Sequence, residues 1–140
     1  MDESKVILEH LNKNFQYVYD KNAYGKRDAW YVMKQVPFEG DCEDYSLTYL
    51  YEVSGRSYIK MFWNLIFGGY KIKFCTVRGE GHAVLRYKER YLDNIQKEWC
   101  RKDYLEDKGY DFHKSQYWWN IVAVKLVQGW YYSASKKIRD

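Results

Sequence analysis

The chain has 140 residues, 46% of them hydrophobic and 30% charged, and a net charge of +4. That length holds one domain, expected over residues 1–140, with room for a real core, and that balance excludes a disordered chain. Three cysteines cannot all pair and none sits in a CxxC, which excludes a disulfide framework and a zinc ribbon.

Taken in chain order, residues 4–18 carry Val6, Ile7, Leu8, Leu11, Phe15 and Val18 at helical spacing behind Ser4, a candidate N-cap. Residues 20–40 are irregular, broken by Gly25, Pro37 and Gly40. A second helix is predicted from Cys42, with Asp41 as N-cap and Asp44 completing a capping box in which Asp stands for Glu. Its face is Cys42, Ser46, Tyr49, Leu50 and Val53, and Gly55 stops it. Ser57–Phe67 fits a third helix with Ile59, Phe62, Trp63 and Ile66 inward.

Beyond Gly68-Gly69 the period changes. Tyr70–Val77, His82–Tyr87 and Tyr91–Asn94 have the β-branched and aromatic content of strands. Gln96–Asp107 is polar and weakly helical, and Tyr117–Val127 is the most apolar strand candidate. Helices first and strands later define an α+β chain.

Three residues carry chemistry. Cys42 opens a helix, where unpaired N–H groups and the helix dipole favour a thiolate and could receive an oxyanion. A lone cysteine there is equally a small core residue. His82 opens an apolar strand, and Asp93 lies in the next one. A hairpin turning at Lys88-Glu89 sets Val84 opposite Asp93 and His82 diagonal to it; a turn one residue earlier sets His82 and Asp93 face to face. Either register gives the imidazole a carboxylate, and with the thiol this is a Cys-His-Asp arrangement. Gln35 is a candidate oxyanion donor.

Gly40-Asp41-Cys42-Glu43-Asp44-Tyr45-Ser46, Gly81-His82-Ala83-Val84-Leu85 and Leu92-Asp93-Asn94 together resemble the bacterial transglutaminase-like cysteine peptidases. The likeness spans roughly residues 28–95, with Ser46 in place of the usual Ala, and Trp30 and Pro37 at positions where related sequences often carry these residues. It implies a papain/transglutaminase-like core: N-terminal helices, the nucleophile at a helix N-terminus, then an antiparallel sheet. It also implies Cys42 as nucleophile, His82 as general base and then acid, and Asp93 as orienting carboxylate. The activity implied is that of a thiol protease or amidase acting on a peptide or protein through an acyl-enzyme. The same intermediate serves a protein-crosslinking transglutaminase, and the same fold could hold a partner without catalysis. Small members lacking an export signal resemble phage-encoded ones that act in the host cell.

Asp41, Glu43 and Asp44 crowd the thiol with negative charge, which disfavours its ionisation. By the same resemblance these acids form a candidate calcium site; the alternative is that Asp41 and Asp44 only cap the helix. No other cofactor is implied. Cys75 reads as core, Cys100 has no evident role, and His10 and His113 read as surface or core residues. Cys42, Cys75, His82 and Cys100 fit no usual zinc spacing.

Residues 1–70 carry 8 basic and 10 acidic side chains, and residues 71–140 carry 15 and 9. The basic half lacks a dense Lys/Arg run, so a solvated face explains it better than nucleic acid does. Met1-Asp2-Glu3-Ser4-Lys5 lacks the regions of a signal peptide. The longest uncharged apolar stretch, Met61–Tyr70, falls well short of the ~20 residues that span a bilayer. The expectation is a cytoplasmic protein with reduced thiols and no membrane partner. Oligomeric state is not legible.

Overall fold

A computed structural model describes residues 3–17, 30–34 and 36–139. Among them the elements run α1 (Glu3–Asn14), β1 (Phe15–Tyr17), β2 (Phe38–Gly40), α2 (Cys42–Val53), α3 (Tyr58–Ile66), β3 (Lys71–Val77), β4 (Glu80–Tyr87), β5 (Arg90–Leu92), β6 (Cys100–Arg101), α4 (Lys102–Asp107), β7 (Tyr110–Tyr117) and α5 (Trp119–Arg139). The α+β class holds. Five strands form an antiparallel sheet in the order β6-β5-β4-β3-β7, and β1 pairs with β2 in parallel, Phe15 opposite Phe38.

The central helix α2 is packed between α1 and the sheet, and nine of its twelve residues are buried. Tyr45, Leu47 and Leu50 are fully buried, and Ala83, Leu85, Ile72 and Leu92 from one sheet face complete that core. The other sheet face packs Cys75, Val84, Tyr91 and Tyr110 beneath Leu105 of α4. Segment 30–34 is tied to α2 by its backbone: Tyr31 N–H donates to Asp44 Oδ1 at 2.8 Å and Met33 N–H to Thr48 Oγ1 at 2.8 Å.

Several predicted elements differ in detail. The first helix ends at Asn14 because Phe15 leaves it to pair with Phe38. In α3 the inward residues are Met61 and Leu65, whereas Ile59 and Trp63 face outward. Residues 20–29 lie outside the described residues, and Phe38–Gly40 is a strand. Within Gln96–Asp107 only Lys102–Asp107 is helical. The predicted strand over Tyr117–Val127 is a correction: from Trp119 it is helix, with Val122, Leu126 and Gly129 inward at helical spacing. The apolar run alone did not distinguish the two. The outer strand is instead Tyr110–Tyr117, paired with β3 around a bulge between Lys73 and Cys75.

Candidate active site

The site begins with a helix cap. Asp41 is the N-cap of α2, its Oδ1 accepting from Asp44 N–H at 3.2 Å, while Asp44 Oδ2 accepts from Asp41 N–H at 3.2 Å. This is the capping box expected from the sequence. Gly40 permits it, since a Cβ there would lie 2.7 Å from Asp44 Oδ2 and 2.9 Å from Met33 Sδ. Cys42 therefore occupies the first helical position, with backbone N–H groups that have no partner within the helix nearby. At the other end Ser54 caps the helix and Gly55 follows at φ 73°.

His82 and Asp93 come from the neighbouring hairpin. Tyr87 pairs with Arg90 and Leu85 with Leu92 across the two-residue turn Lys88-Glu89, the first of the two expected registers. His82 Nε2 lies 2.8 Å from Asp93 Oδ2, and both side chains are buried. Asp93 Oδ1 accepts from Gln96 N–H at 2.9 Å. An ionised carboxylate only accepts, so Nε2 carries the hydrogen and Nδ1 is left as the basic nitrogen. Burial on its own would raise the Asp93 carboxyl, but the hydrogen bonds from His82, Tyr110 and Gln96 outweigh it and hold Asp93 below the usual carboxylate range.

Tyr110, at the start of β7, is the residue that the sequence reading missed. Its hydroxyl donates to Asp93 Oδ2, and its ring meets His82 edge-on with centroids 5.9 Å apart. Burial, then the bond to Asp93, pushes its own hydroxyl well above the ordinary tyrosine range. The signal available was the alternation Tyr110-Asp111-Phe112 after Gly109, which marks a strand but not its partner.

Cys42 is joined to this pair through the backbone. Ala83 N–H, next to His82, donates to Cys42 Sγ at 3.4 Å, while the thiol donates to Glu43 Oε2 at 3.2 Å. Cys42 and His82 line one cleft of about 560 Å³, together with Tyr17, Val77, Arg78 and Ile95. Burial pushes the Cys42 thiol up, and the charges of Glu43 and Asp41 push it further; the Ala83 N–H opposes them more weakly. The helix start does not win, contrary to the expectation of a lowered value. Glu43 is itself raised to about 7 by burial and by Asp41.

Both oxygens of Asp44 accept backbone N–H groups, from Tyr31 and Asp41. Among the described residues no three His, Cys, Asp or Glu side chains are grouped to hold a metal ion. Asp41 and Asp44 make the reciprocal capping contacts, and Asp41 also bonds Glu43. Cys75 and Cys100 are buried on the sheet face that also carries Tyr110, with Cys75 directly across from His82, and burial pushes their thiols up to about 12 and about 11. His10 lies on α1, its ring against Phe38. Gln35 lies outside the described residues, as do the side-chain surroundings of His113. No family model matches the chain, and no curated protein matches it with significance.

Proposed function

We propose that the protein is a thiol-dependent hydrolase that cleaves a peptide or amide bond through Cys42, His82 and Asp93. The observation that carries this reading is the buried 2.8 Å bond between His82 and Asp93, beside a cysteine at a helix start in the same cleft. A catalytic histidine needs one ring nitrogen held by a carboxylate and the other left to act as base, and His82 has the first of these.

The steps follow from the atoms. Cys42 Sγ attacks the carbonyl carbon and its proton passes to His82 Nδ1. The N–H groups in the first turn of α2 that have no partner within the helix can receive the resulting oxyanion. The carbon–nitrogen bond breaks as His82 returns the proton to the leaving amine, giving a thioester. Water, deprotonated by His82, then attacks the thioester, releasing a carboxylic acid and restoring the thiol. Asp93 holds the ring in one tautomer throughout and stabilises its charged form. Tyr17, Val77 and Ile95 offer apolar walls, and Arg78 a charge, for a peptide lying in the cleft.

The test is alkylation with limiting iodoacetamide at neutral pH, followed by mapping. Cys42 is expected to react fastest, because it opens on the cleft and has His82 as a base, and His82→Ala should slow it. Equal labelling of Cys42, Cys75 and Cys100 would sink the proposal.

A further inference from the structure

We propose that a pocket along β4, β5 and β6 is a binding site for a small phosphate-bearing anion carrying at least two negative charges. Arg86 and Tyr91, paired across β4 and β5, line it together with Arg90 and Arg101, paired across β5 and β6, and Lys102, which follows β6. The cavity is about 390 Å³, a size that suits a small molecule. None of its lining residues belongs to the cleft of Cys42 and His82, so the site is separate from the one proposed for hydrolysis.

Four cations line the pocket against two acids, Glu89 and Asp103. Asp103 is taken up by Arg101 at 3.7 Å, and Glu89 is exposed in the β4–β5 turn. No carboxylate among the described residues comes within ion-pair distance of Arg86, Arg90 or Lys102. Like charges set directly opposite on neighbouring strands, as in the Arg90–Arg101 pair, repel unless an anion joins them. Arg86 adds a sharper observation: its Nε–H is buried with no acceptor among the described residues, and a buried donor left unpaired is costly. Lys73 stands diagonal to Arg86 across β3 and β4, and burial, then the charges of Arg86 and Lys102, push its ammonium below the ordinary lysine range. These cations therefore concentrate positive potential at one concave spot, where a solvated face would spread it. Guanidinium forks match phosphate oxygens in pairs, and several cations in one cavity call for a multiply charged anion rather than a single carboxylate. Tyr91 is buried, its ring 4.6 Å from that of Phe112, so it offers no open face to a stacked base, which disfavours a nucleic-acid strand.

The experiment is isothermal titration calorimetry of the full chain with inorganic pyrophosphate at low salt, with orthophosphate and acetate alongside. Pyrophosphate is expected to bind more tightly than orthophosphate, and acetate not to bind; the affinity should fall as salt is raised. Arg86→Gln and, separately, Lys102→Gln should each weaken pyrophosphate binding by about tenfold or more, through loss of one charge-assisted contact. Lys102 is exposed, so its variant carries the test if Arg86→Gln loses its folded circular dichroism. Lys108→Gln changes a cation outside the pocket, over the Tyr104 ring, and should bind like the parent. Failure to bind pyrophosphate, pocket variants that bind like the parent, or an equal loss in Lys108→Gln would each overturn the proposal. So would an oligonucleotide or an acidic peptide bound by a chain that ignores pyrophosphate.

Discussion

Replacing Tyr110 with Phe removes one donor from Asp93 and leaves the ring that packs on His82 in place. Asp93 Oδ2 accepts from both Tyr110 and His82, and Oδ1 from Gln96 N–H. A hydrogen bond to a charged group contributes about 1.5–3 kcal/mol, so Tyr110→Phe should cost about 2 kcal/mol at neutral pH. For a chain of this size that is a fall in Tm of roughly 6 °C. The pH dependence gives the sign. Asp93 is depressed in the folded state, so its stabilisation is present above the unfolded carboxylate value near ~3.9 and fades as pH falls through the lower folded value. The variant starts with less of that stabilisation, and its deficit should shrink as pH is lowered from 7 towards 3. Urea unfolding of both proteins across that range measures it. A deficit that stays constant with pH, or no loss at pH 7, would refute the reasoning. The first would mean that Tyr110 serves packing alone; the second, that its hydroxyl finds an equal partner in water.

Two other changes probe the same framework. Gly129 lies on the inward side of α5, and a Cβ there would come 2.2 Å from the Trp30 carbonyl, which the backbone bond from Trp30 N–H to Lys125 O keeps close. Gly129→Ala should therefore cost about 2 kcal/mol despite alanine's better helix propensity, read as a lower urea midpoint; a raised midpoint would contradict the docking of α5 on segment 30–34. Glu43→Gln removes the carboxylate that accepts from the thiol and opposes its ionisation, so alkylation of Cys42 at neutral pH should accelerate. An unchanged rate would mean that burial alone governs the thiol.

What was legible in the sequence was local. Asp41 and Asp44 at capping-box spacing located the start of α2, and a tight turn between alternating strands narrowed the hairpin to two registers, either of which brings His82 to Asp93. Both follow from contacts within a dozen residues. Tyr110 was not legible because it reaches Asp93 through β3, which β7 joins from the far side around a bulge. Its sequence shows a strand and no partner. The C-terminal helix was misread because Ile121, Val122, Val124 and Val127 have strand composition, and only the spacing of Val122, Leu126 and Gly129 betrays the helix. The state of Cys42 was misjudged for a third reason. The helix start was visible, but the burial that raises the thiol, and the opposing Ala83 N–H at 3.4 Å from the sulfur, come from the tertiary fold.

That last point changes the chemistry expected at the site. A thiolate–imidazolium pair at rest would need the sulfur's charge to be well stabilised, yet burial, Glu43 and Asp41 all act against it. Burial and the two carboxylates thus favour a thiol bonded to Glu43 over a thiolate. Under the proposed hydrolase reading, ionisation would be deferred to the encounter with substrate, the proton leaving for His82 as the carbon–sulfur bond forms. In that scheme the His82–Asp93 bond matters most in the transition state, where the ring becomes charged. If the proposed hydrolase reading is right, Asp93 and Tyr110 should affect turnover more than substrate binding, because they act on the ring when it becomes charged.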